Sequence, residues 1–218
     1  MRLIACEMLR DEVELVLRQT GTTLPITWME KGLHNSPERL RAALQAEVDK
    51  TGPECPEILF AMACCGGAME GLCSQSARLI VPRFDDCVRL LLAVEPGQPP
   101  QVDCRCLYFT RAWLDSDGYL LRDFEKYREK YGPKKAKRII DAMIGHYRGY
   151  RMIDTGAYSV AECEAAARAD AAEFGLEYGC QHGTLRILEK LLTRQWDEEF
   201  VVSQPGEALR QKYFLPKI

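Results

Sequence analysis

The sequence predicts an α/β protein whose open, mostly parallel sheet or sheets are flanked by helices, arranged as two packed flavodoxin-like halves. Three observations carry this expectation. Short apolar runs alternate with amphipathic segments along most of the chain. One run, 57–63, is almost wholly apolar and ends in Cys64-Cys65-Gly66-Gly67, the signature of a central strand buried on both faces that stops at a tight turn. A Pro-, Gly- and Gln-rich stretch at 95–102 then separates two segments of similar rhythm, which places a boundary near Gln98.

In order, a strand is expected at 3–6, a helix at 11–19, a strand at 25–30 and a helix at 37–50. Ser36-Pro37-Glu38 starts that second helix well: Ser36 can cap, Pro37 has the φ of a first helical residue, and Glu38 complements the dipole. The buried strand at 57–63 follows, then a strand at 78–82 leading into a capped helix over 85–92. Beyond the linker the expected elements are a strand at 105–110, helices at 122–131 and 133–150, a strand at 151–154 and a helix at 159–174. A strand at 176–179, a helix at 184–192 and a strand at 199–202 complete the chain. The domains so delimited are 1–97 and 98–218, with no residue-level repeat between them.

Composition narrows the function. A chain of 218 residues buries a sizeable core without needing a metal or disulfide for stability. Its 29 Lys and Arg against 32 Asp and Glu give a net charge of -3, which removes the general attraction that nucleic-acid binders use. The basic run Lys134-Lys135-Ala136-Lys137-Arg138 reads as a solvated helix face, with a local anion contact as the sharper alternative. No signal peptide and no membrane-spanning stretch is expected, so the reading is a cytoplasmic protein. Its ten cysteines are irregularly spaced and expected to be reduced.

Ligands of open parallel sheets bind at the carboxyl ends of the strands, which is where Cys6, His34, Cys65 and Cys87 fall. Thiolate and imidazole suit zinc, copper(I) or an iron–sulfur cluster, so these four are the candidate metal ligands. Gly66 and Gly67 are candidate cofactor-binding residues, because glycines let a ligand approach and leave successive N–H groups to point at an anion or cluster. The bland reading makes Cys6 and Cys64 core fillers and Cys87 a small helix residue. Arg83 and Asp154, at the ends of two further strands, are candidate catalytic groups that would orient a substrate; a simple turn with a local Asp cap is the plainer account. Cys104-Arg105-Cys106 and Cys180-Gln181-His182 are weaker pairs that could each add a ligand, while Cys55, Cys73, Cys163 and His146 receive no role. No dinucleotide fingerprint, phosphate loop or nucleophile elbow is present.

Several segments together resemble a known family. They are Leu33-His34-Asn35-Ser36-Pro37-Glu38-Arg39-Leu40, Cys65-Gly66-Gly67 with Gly71-Leu72, Val81-Pro82-Arg83 followed by Asp86-Cys87, and Trp113-Leu114. Lys130-Tyr131-Gly132, His146-Tyr147, Ile153-Asp154-Thr155-Gly156, Leu188-Glu189-Lys190-Leu191-Leu192, Trp196-Asp197 and Phe200-Val201-Val202 extend the likeness over nearly the whole chain. The family is the bacterial and archaeal domain of unknown function 1638. Because its members often accompany corrinoid-dependent methyltransferases in anaerobes, the resemblance implies a role near one-carbon or corrinoid methyl metabolism, with a corrinoid protein or methyltransferase as partner. The sequence departs from the family pattern at Asp85, where a histidine is expected, and at Ala63-Cys64, where Gly-Leu is expected.

Three functions are therefore open. In the first, Cys6, Cys65 and Cys87, with His34, hold zinc or an iron–sulfur cluster, with Arg83 and Asp154 flanking. In the second, thiols such as Cys65 and Cys180 act as acid and base without a metal, as in two-thiol racemases. The third is a binding module without catalysis.

Overall fold

The structure, a computed structural model, describes residues 1–114, 116 and 120–214. From the N-terminus come β1 (Arg2–Cys6), α1 (Arg10–Thr20), β2 (Ile26–Met29), α2 (Pro37–Asp49), β3 (Glu57–Ala61), β4 (Arg78–Pro82) and α3 (Cys87–Leu91). There follow β5 (Cys106–Phe109), α4 (Arg111–Leu114), α5 (Leu120–Tyr131), α6 (Pro133–Ile144), β6 (Gly149–Asp154), α7 (Val160–Glu173) and β7 (Glu177–His182). The chain finishes with α8 (Arg186–Leu192) and β8 (Phe200–Ser203). It divides into two units, one formed by 1–101 with 184–218 and the other by 102–183.

The first unit carries a five-stranded sheet in the order β2-β1-β3-β4-β8. Its first four strands are parallel, and Ile4 pairs with Thr27 on one side and Phe60 on the other. β3 is buried along its whole length, as its apolar run predicts, and Ile58, Leu59 and Phe60 have no exposed surface. After β1 the chain steps outward to β2, then returns past β1 to β3, so the topological switch lies between β1 and β3. That crossover reversal opens a crevice at the carboxyl ends of these two strands.

β8 corrects the expected domain division. It lies antiparallel on β4, with Leu79 opposite Ser203 and Pro82 opposite Phe200, and the peptide N–H of Arg83 continues the ladder to the Glu199 carbonyl at 2.7 Å. The expected unit 98–218 is thus not continuous. Its last part returns to cover the β4 edge, where backbone groups that the parallel strands leave unpaired gain partners.

The second unit is a three-stranded parallel sheet, β5-β6-β7. Its core gathers Phe109, Ile140, Met152 and Ala167, with Phe109 stacked on Tyr150 at 4.0 Å between ring centroids. The helix expected over 133–150 stops at Ile144, six residues early, where the Tyr147 N–H turns back to the Ile144 carbonyl at 2.8 Å and the Arg148 N–H leaves for the Arg105 carbonyl at 2.7 Å as the chain enters β6. β7 runs on to His182, past the expected end at Gly179. Cys180, Gln181 and His182 therefore stand on a strand, paired with Met152, Ile153 and Asp154, and not in the turn after it.

Asp170 on α7 is only 2% exposed, and its Oδ2 atom has no hydrogen-bond partner among the described residues. Burial raises its pKa to about 6. An acid raised in the folded state is unpenalised below its unfolded pKa of about 4, and it loses stability for the protein as pH rises through the folded value. Asp170→Asn is expected to be about 1–2 kcal/mol more stable than the native chain at pH 8 and no more stable at pH 4, as thermal melts at the two pH values would show. Among the described residues no helix is long and apolar enough to cross a membrane.

Candidate functional site

Two thiols, Cys65 and Cys87, meet at the carboxyl end of the first sheet, with Cys6 at the end of the neighbouring strand β1. Cys6 is the last residue of β1 and is buried. Cys65 follows β3 in a turn where it and the next two residues all adopt left-handed backbone, with φ of 46° at Cys65, 68° at Gly66 and 87° at Gly67. Glycine accepts this conformation freely, whereas Cys65 holds it at a cost of about 1 kcal/mol. Cys87 opens α3, whose cap is Asp86, its carboxylate accepting from the Arg89 N–H at 2.7 Å.

The loops after β3 and β4 are zipped together by two backbone bonds, from the Cys64 N–H to the Phe84 carbonyl at 2.9 Å and from the Cys65 N–H to the Asp85 carbonyl at 2.8 Å. This pairing brings the Cys65 and Cys87 sulfurs to 3.8 Å, although 22 residues separate them in sequence. Asp85 serves the same junction: its carbonyl receives the Cys65 N–H and its carboxylate meets the Arg89 guanidinium at 3.1 Å.

Burial and neighbouring sulfurs disfavour ionisation of two of these thiols. Burial, reinforced by the Cys87 sulfur, pushes the Cys6 thiol up to about 12. The Cys65 sulfur, followed by burial, holds the Cys87 thiol well above its ordinary value. Without a cation the Cys6 and Cys87 sulfurs are held as neutral thiols, and a bound metal ion is what would convert them to thiolates. A tetrahedral centre with metal–sulfur bonds of about 2.3 Å separates two thiolate sulfurs by about 3.8 Å, which the observed pair already matches.

The Gly66-Gly67 turn is held by the chain around it. The Cys65 N–H is taken by the Asp85 carbonyl, and the carbonyl of Cys64, which is buried as core, accepts from the Ala68 N–H at 2.9 Å. A side chain at Gly66 would place its Cβ 3.1 Å from Pro37 Cγ, so α2 packs directly on the turn. Arg41, also on α2, donates to the Gly67 carbonyl at 2.9 Å, and Gln211 lies against Gly67 on another side. Neither residue had a signal in the sequence, because nothing in its spacing relates it to the cysteines.

His34 stands half-buried on a short 3-10 turn, Leu33–Asn35, between β2 and α2. Burial alone lowers its pKa, and none of the three thiols perturbs it. Glu7, next to Cys6, accepts from the Lys31 N–H at 3.3 Å and from Arg10 at 2.9 Å, tying the end of β1 to the loop before His34. Among the described residues no three His, Cys, Asp or Glu side chains are gathered into a group that would hold a metal ion. The thiol pair is formed; Cys6 and His34 are close in topology but not drawn into it.

Arg83 spends its guanidinium on the protein itself. Nε donates to the Glu198 carbonyl at 2.9 Å, one Nη to Tyr213 at 2.9 Å and the other to Phe200 at 3.2 Å. Asp154 belongs to the second unit, where its carboxylate caps the Gly156 N–H at 3.0 Å, the plainer of the two expected roles. Cys180 also lies in that unit, on an exposed stretch of β7, whereas Cys65 is in the first. Burial, then the Asp154 charge, raises its thiol.

The family described as protein of unknown function (DUF1638) matches residues 28–192, about three-quarters of the chain. The chain belongs to the DUF1638 family. The matched span of this DUF1638 protein holds His34, Cys65, Arg83, Cys87 and Asp154, while Cys6 precedes it. No curated protein and no solved structure matches the chain.

Proposed function

We propose that this DUF1638 protein binds a thiophilic metal, as zinc or as an iron–sulfur cluster, through Cys65 and Cys87, with Cys6 as the third ligand and His34 as the fourth. The observation that carries this reading is the 3.8 Å separation of the two sulfurs at the strand-end crevice. Supporting it, burial and neighbouring sulfurs disfavour free thiolates at Cys6 and Cys87, a cost that a bound metal ion would offset. The third and fourth ligands join by small movements of the β1 end and of the turn that carries His34. A reducing cytoplasm, in which the ten cysteines remain free, belongs to the same proposal. So does a corrinoid protein or methyltransferase as partner, on the strength of the family resemblance. Arg83 and Asp154 are given no step in it.

The test is the metal content and visible absorption of protein purified without oxygen, alongside Cys6→Ser, Cys65→Ser and Cys87→Ser. Stoichiometric zinc, or iron with a visible band, is expected in the native protein. It should be lost in the Cys65 and Cys87 variants and weakened in the Cys6 variant, with circular dichroism unchanged. A native protein that holds neither metal and takes up none on titration overturns the proposal.

A further inference from the structure

The same pair of sulfurs supports a second chemistry. We infer that Cys65 and Cys87 form a reversible disulfide in the metal-free protein, by exchange with a small-molecule disulfide, so that oxidation removes two ligands from the site. The part of this inference that concerns metal occupancy rests on the function proposed above; the disulfide itself does not.

The geometry is already close to that of a bond. The sulfurs stand 3.8 Å apart, and disulfide formation requires them to close to about 2.0 Å, a distance within reach of side-chain rotation. The backbone holds the partners together: the bonds from Cys64 to Phe84 and from Cys65 to Asp85 fix the two loops side by side, so little additional chain ordering is needed. Pro37 against Gly66 and Arg41 on the Gly67 carbonyl keep the Cys65 turn in place. Cys65 is partly exposed, which gives a small oxidant access to its sulfur, whereas Cys6 and Cys64 are buried.

The reaction balances as thiol–disulfide exchange. The accessible Cys65 sulfur attacks one sulfur of the small disulfide. A mixed disulfide forms, one small thiol leaves, and the proton lost by the protein thiol passes to it. The second protein sulfur then attacks the first, the mixed bond breaks, and a second small thiol departs with the second proton. Two protein thiols are oxidised and one small disulfide is reduced to two thiols. Because metal binding needs both sulfurs as thiolates, the disulfide and the metal exclude each other.

The experiment incubates reduced, chelator-washed full-length protein with oxidised glutathione, with and without prior loading with zinc, and maps peptides under non-reducing conditions. A linked Cys65–Cys87 peptide is expected, reversed by dithiothreitol, and formed at least about tenfold more slowly after zinc loading. A link that forms equally fast with zinc present keeps the disulfide and counts against the metal reading alone. If Cys65 and Cys87 stay as free thiols, stay capped by glutathione, or link to other cysteines, the inference is overturned. Cys87→Ser should leave Cys65 as the glutathione adduct without a link; a Cys65 that crosslinks elsewhere in this variant at the native rate would equally overturn it.

Discussion

Glu199→Ala is expected to destabilise the protein by about 3–5 kcal/mol, because it strips the counter-charge from two cations held in poor contact with water. The Glu199 side chain is only 12% exposed and accepts from Arg186 at 2.7 Å and from Lys190 at 2.5 Å. Arg186 also donates twice to the Ala93 carbonyl, at 2.9 and 3.2 Å, and Lys190 reaches Asp197. The network therefore joins α8 and the entry to β8 to the chain after α3. Burial opposes the Glu199 carboxylate, but Arg186 and Lys190 outweigh it and hold its pKa below the ordinary value. For a depressed acid the stabilisation is complete above the unfolded pKa of about 4.3, and it is lost as pH falls through the folded value. Urea unfolding at pH 7 should thus separate the variant clearly from the native protein. As pH falls below about 4 the two curves should begin to converge, meeting only below the lowered folded value, and a gap that stays constant down to that point would rule out the electrostatic account.

Arg83→Ala comes next, with an expected loss of about 2–3 kcal/mol, since its guanidinium makes charge-assisted bonds to three carbonyls, those of Glu198, Phe200 and Tyr213. These carbonyls lie before β8, at its start and near the last described residues, so one side chain staples the returning segment to the end of β4. The segment so held presents Gln211 to Gly67, beside the Cys65 turn. Hydrogen exchange in 198–214 should rise in the variant well before global unfolding. Arg83→Lys should rescue little, because a single ammonium cannot reproduce the spread of a planar fork. Full rescue by Lys, or unchanged exchange in that segment, would show that the staple is not what Arg83 contributes.

Much of this molecule is legible from residues alone. The apolar run ending in Cys64-Cys65-Gly66-Gly67 announces a central strand and a turn, and β3 is followed by a turn with three left-handed residues. Pro37 marks the start of α2, where Ser36 makes no side-chain cap bond, and Asp86 caps α3, because each acts through its own neighbours. Local rules suffice where the interacting groups lie within a few residues of one another. They fail at β8, whose sequence is compatible with either strand direction; only the free edge of β4 decides that it runs antiparallel. They fail also at Arg83, which reads as a free strand-end cation until the returning segment supplies its carbonyls.

The candidate site divides in the same way. Composition and spacing determined that this is an α/β protein with reactive residue types at its strand ends, since hydrophobic periodicity and turn chemistry are local properties of the chain. Which of those residues meet was decided by tertiary structure. Cys65 and Cys87 come together because two backbone bonds join loops that follow adjacent strands, and Cys6 lies near them because the switch in strand order opens between β1 and β3. Sequence distance carries no record of such pairings, because they depend on strand order and loop register, which are set by the packing of the whole sheet.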